Sequence, residues 1–178
     1  MNRISMHAVV TAVKKVRAMN PVRKEQLADE IFIAQPNLLG SVIVQKQMGV
    51  TLEKMEFLVN ILLICFQAMK ESGLNWPLIT EDDQDRLLKR YMATVKFGQN
   101  LSPSLKFIAQ KPFIDGHPEK PLLAFVTQQS VDWLARIEPE ETDKYVMMAA
   151  ANLVECIAYV ELPAAKKKTR RRRARPLR

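Results

Sequence analysis

The densest chemistry in this 178-residue sequence lies after Pro163, where Lys166, Lys167, Lys168, Arg170, Arg171, Arg172, Arg173, Arg175 and Arg178 occur with no Asp or Glu among them. Ammonium and guanidinium groups at this density form a polycation. On nucleic acid such a segment displaces condensed counterions and binds tightly without reading sequence. Guanidinium adds bidentate phosphate geometry, and arginine-rich disordered segments commonly order on RNA. No aromatic residue lies in the segment to stack on bases, so no base preference is expected. The same string would serve as a nuclear import signal in a eukaryotic cell.

That segment holds nine of the 27 basic residues, which leaves 18 basic against 19 acidic in residues 1–162, a net charge of −1. The overall charge of +8 therefore belongs to the tail. Nothing in the balance of the remaining chain favours polyanions.

Other reactive side chains are sparse. Only His7 and His117 are available as imidazole acid-base groups. His117 stands in Asp115-Gly116-His117-Pro118, the one place where an acid and an imidazole are adjacent in sequence. A tight polar turn accounts for that run without catalysis. Cys65 and Cys156 sit in apolar runs (ILLICF, NLVECIAYV) and read as small core hydrophobes, with no disulfide framework or paired metal ligands. The run Glu81–Asp85 (EDDQD) lacks the alternating ligands and turn glycine of a calcium loop, and acidic residues in a first turn suit the helix dipole. Residues Val44 to Leu58 have the outline of a helix-turn-helix corner with Gly49 at the turn. The second helix, however, would present Glu53, Lys54, Glu56 and Phe57, a poor set for base edges. No phosphate-cradling glycine loop is present. These residues predict no catalytic site, no metal site and no cofactor.

The elements that carry these residues read as helices throughout. No run alternates with period two between hairpin dipeptides. Six or seven helices are expected: about 3–19, 21–34, 36–47, 51–72, 80–98, 121–137 and 139–161, with a further short one possible in form within LSPSLKFIAQ (101–110), inside an irregular stretch over 99–121. Pro21, Pro36, Pro121 and Pro139 each suit a first turn. In the fourth helix Leu52, Met55, Leu58, Val59, Leu62, Leu63, Phe66 and Met69 form one face, and Phe57, Ile61, Ile64 and Cys65 fill much of the other. A helix apolar around most of its circumference is packed on several sides, so it is expected at the centre. Trp76-Pro77-Leu78-Ile79 is expected to plug the core between the fourth and fifth helices.

The sequence thus predicts an all-α protein: a compact helical domain, residues 1–162, around a central hydrophobic helix at about 51–72, and a disordered basic tail, residues 163–178. The longest apolar stretch, Phe57 to Phe66, is ten residues with Asn60 inside it, against roughly 20 for a membrane span. The amphipathic N-terminus lacks the apolar core of a secretory signal, and a cytoplasmic (or, in a eukaryote, nuclear) location is expected. The expected function is that of a non-catalytic binding or regulatory protein. Its tail would contact DNA or RNA without sequence specificity, and its helical domain would meet a protein partner or a second copy. The alternative is a small-ligand-binding protein or enzyme using a cavity beside the central helix, with the tail incidental.

Overall fold

The computed structural model describes residues 2–99, 102 and 111–163. Seven α-helices whose two ends both lie among the described residues follow in order: α1 (Met6–Ala18), α2 (Pro21–Ala34), α3 (Pro36–Ile43), α4 (Leu52–Glu71), α5 (Glu81–Gln99), α6 (Lys120–Leu134) and α7 (Asp143–Tyr159). A 3-10 turn over Val44–Lys46 continues α3, and residues 111–116 are also helical. No strand occurs among the described residues. The basic residues from Lys166 to Arg178, the expected disorder of the tail and the short helix expected within 101–110 lie outside the described residues, apart from Ser102.

Local sequence explains most helix starts. Ser5, Asn20 and Thr51 accept from the backbone N–H of Ala8, Arg23 and Lys54, so each satisfies one donor that the first turn leaves free. Thr80 and Asp83 cap α5 reciprocally: Asp83 N–H donates to Thr80 Oγ1 at 3.1 Å, and Thr80 N–H donates to Asp83 Oδ2 at 3.2 Å. The acidic run at Glu81–Asp85 therefore begins a helix, as its composition predicts. The Thr80 and Arg86 contacts hold the Asp83 carboxyl below its ordinary range.

Four boundaries differ from the sequence reading by three residues or more, one of them the end of α6, at Leu134 in place of about 137. The first helix starts at Met6 because the backbone of Arg3 and Ile4 is drawn away to donate to Glu119. The third tightens into the 3-10 turn and reverses at Gly49, whose φ of 87° suits a residue without Cβ. The last begins at Asp143, four residues after Pro139, since the Asp143 carboxylate accepts the Glu140 N–H at 2.7 Å and closes a turn there.

As expected, α4 is the central helix. Every residue from Ile61 to Met69 is buried, and α1, α2, α3, α6 and α7 all pack against it. Phe57 stacks on Trp133 of α6 with ring centroids 4.7 Å apart. α7 forms a second hub, touching α3, α4, α5 and α6, and α5 packs chiefly on α7. The Trp76–Ile79 connector is divided. Ile79 is fully buried and Leu78 exposed, and Trp76 is half-buried with Nε1 donating to Met69 O and Ser72 Oγ. Among the described residues, no single helix is long and apolar enough to cross a membrane.

Candidate functional site

The helix-turn-helix corner dissolves once its charged residues are placed. Lys54 does not face outward: it is buried, and its Nζ pairs with Asp143 at the start of α7 and with Glu140 Oε2 at 3.0 Å. Burial pulls the Lys54 pKa down, yet the hydrogen bonds and charges of Asp143 and Glu140 outweigh it and hold the ammonium above its ordinary range. Burial likewise pushes the Asp143 carboxyl up, and Lys54 with the Glu140 N–H holds it below. A depressed carboxyl stabilises the fold above its unfolded pKa and loses that contribution as pH falls through its folded value. Lys54→Met is therefore expected to lower the thermal midpoint at pH 7. Its midpoint and that of the parent should converge as the pH drops below about 4, where the unfolded-state carboxyl titrates. A difference that stayed constant from pH 7 to pH 3 would reject the pair as the cause.

The second polar cluster gathers His117 with three residues that the sequence did not mark. His117 lies in the turn expected between two helices, and its side chain is sealed in the core. Nδ1 accepts the backbone N–H of Glu119 at 3.1 Å, so the proton resides on Nε2, which donates to Glu155 Oε1 at 3.2 Å. Phe113 and the edge-on ring of Tyr159 flank the imidazole, and Arg90 lies 3.9 Å over the Tyr159 ring. Glu155 Oε2 is buried with no hydrogen-bond partner among the described residues. Burial, then the Glu155 charge, pushes the Tyr91 hydroxyl up.

Glu119 carries the cluster on to the N-terminus. Its side chain is wholly buried; Oε1 accepts from Arg3 N at 3.2 Å and Arg3 Nε at 2.9 Å, and Oε2 accepts from Ile4 N at 2.9 Å. The two terminal nitrogens of Arg3 reach the last turn of α7, donating to Val160 O at 2.7 Å, Ala158 O at 2.5 Å and Ile157 O. These are carbonyls that a helix end leaves without intrahelical partners, so the guanidinium serves as a C-cap supplied from 154 to 157 residues away in sequence. Trp76 covers the same guanidinium at 4.9 Å. With both imidazole nitrogens engaged and the ring closed off, the cluster's work is to lock the N-terminus, the start of α6 and the end of α7 together.

The remaining candidates fall apart in space. His7 is exposed on α1. Cys65 and Cys156 are fully buried, and burial pushes each thiol up to about 12, which leaves negligible thiolate at neutral pH. Among the described residues no three His, Cys, Asp or Glu side chains assemble a metal-holding group.

Among the described residues, two of the cavities open on the flanks, and neither of these draws its lining from α4. One, about 340 Å³, lies among Tyr91, Phe113, Ile114 and Leu123, beside the His117 cluster. The other, about 630 Å³, lies between α3, α5 and α7 and includes Gln84, Tyr145 and Asn152. One signal for the buried cluster was legible: Glu155 interrupts the apolar run NLVECIAYV, and a buried acid demands a partner. Nothing around Arg3 or Glu119 announced the other half.

Comparison with protein-family models, curated proteins and solved structures gave no match. What the fold and its polar clusters define is an all-α domain built on two hub helices, fastened at its N-terminus and at the end of its last helix by Arg3.

Proposed function

We propose that this is a non-catalytic helical binding protein that engages nucleic acid through its basic segment, without sequence preference. The observation that carries this reading is the partition of charge: nine cations and no acid after Pro163, against a net −1 for the rest of the chain. The folded part supports the same division. Arg3, Lys15, Lys54, Lys70, Lys111 and Lys144 are all committed to ion pairs within the domain. In sequence the basic segment begins a few residues after α7, whose final carbonyls accept from Arg3. For the domain, Phe32 and Ile33 at the end of α2 expose large apolar side chains side by side, which supports a role in protein contact.

Counterion release sets the test. With all nine cations on phosphate, log K against log salt should fall with a slope of about −8 on duplex and about −6 on single strands. Changing Arg170–Arg173 to Ala leaves five cations, and the duplex slope should relax to about −4.5. The loss should be alike on two unrelated duplexes, since these groups meet phosphate and not base edges. An RNA hairpin in the same salt series ranks RNA against DNA. Undiminished binding by the four-Ala protein would overturn the reading.

A further inference from the structure

The cleft of about 630 Å³ between α3, α5 and α7 holds a polar group the fold does not use. Gln84 lines it and is only 8% exposed, yet its amide nitrogen is buried without a hydrogen-bond partner among the described residues. Its backbone N–H is already given to Thr80 O. Folded proteins rarely leave a buried amide so, because the group forfeits its hydration and receives nothing in return. Asn152 of α7 lines the same cleft, also 8% exposed, and its Oδ1 accepts from Cys156 Sγ at 3.7 Å. Two side-chain amides from two helices therefore line one cleft, and the nitrogen of Gln84 is buried without a partner among the described residues.

The opposite wall is complementary. Asn37 and Gln45 spend their amide nitrogens on Ile79 O at 2.9 Å and Ser41 O at 3.0 Å, so each offers its carbonyl oxygen. Leu88 and Met148 add apolar surface and Tyr145 an aromatic ring, and Glu81 and Asp85 bring two carboxylates. No Lys or Arg lines the cleft, so an anion gains no partner there and meets repulsion.

We propose that this cleft binds a small uncharged nitrogen heterocycle of the nucleoside class. A primary amide pairs bidentately with adjacent donor and acceptor atoms on a planar base edge, the geometry by which Gln and Asn recognise adenine. Gln84 and Asn152 supply such amides. The Glu81 and Asp85 carboxylates accept from sugar hydroxyls and exclude a phosphate. The volume falls within the range of small-molecule sites, which combine apolar walls with a few placed polar groups. This site does not depend on the basic segment, and either proposal stands if the other fails.

Adenosine is the probe, titrated into the full chain by calorimetry, with the Met148 methyl resonance reporting occupancy of the cleft. Adenosine should bind and shift that resonance. Adenosine monophosphate should shift it with affinity about tenfold weaker or more, and phosphate contacts made by the basic segment leave Met148 unmoved. Gln84→Met keeps the side-chain length and removes the unpaired amide, so its thermal midpoint should equal or exceed the parent's while adenosine affinity falls about tenfold. Asp85→Asn, on the exposed rim, should narrow the preference for adenosine over its monophosphate. No Met148 shift with adenosine, equal binding by Gln84→Met, or an unaltered preference in Asp85→Asn would each overturn the proposal.

Discussion

Glu119→Ala is expected to cost about 3–5 kcal/mol of stability, the range for removing one partner of a buried ion pair. The carboxylate is wholly buried and, among the described residues, is the acceptor for the backbone N–H groups of Arg3 and Ile4 as well as for Arg3 Nε. Its loss strands those donors and frees the guanidinium that caps α7, so damage at the start of α6 spreads to both ends of the domain. For a chain of this size each kcal/mol lowers the thermal midpoint by about 2–4 °C, which makes the drop large. Glu119→Gln retains the shape and one acceptor oxygen and should lose less. Urea unfolding of the three proteins measures both differences. A cost for Glu119→Ala below about 1 kcal/mol, the level of exposed pairs, would show that the cluster holds nothing together.

Leu62→Ala should cost about 2–5 kcal/mol through lost burial and the cavity left behind. Leu62 is 1% exposed in the middle of the helix against which five others pack. Leu52, at the first turn of the same helix, is 70% exposed, and its replacement by Ala should stay within about 0.5 kcal/mol. Chemical denaturation of the two variants separates burial from helix propensity, since the substitution is the same in both. Equal costs at the two positions would remove α4 from the centre of the fold.

That centre was legible because it is written in one short stretch. Around α4, apolar residues occupy nearly every direction from Ile61 to Met69, and only a helix enclosed on all sides suits such a pattern. Caps at Ser5, Asn20, Thr51 and Thr80 are local too: each is a side chain satisfying a backbone donor three residues on. Boundaries went astray where a distant partner intervened. Nothing near Arg3 or Pro139 in sequence reveals that Glu119 captures the chain before α1, or that Asp143 closes a turn while pairing with Lys54 on α4.

The same division holds for function. Sequence by itself determined the helical class, the central helix and the separation of nine cations from a nearly neutral domain, since composition and short-range periodicity suffice for each. Only the tertiary structure decided that Lys54 is an internal ion-pair partner and not a surface contact. It also placed His117, which stays in the loop before α6, in the middle of a buried chain running from Arg3 to Glu155. And it brought Gln84 and Asn152, 68 positions apart in number, to one cleft. The physical reason is that charge pairs and amide recognition act over a few ångströms of space, and the sequence separation of the residues that meet leaves no periodic trace.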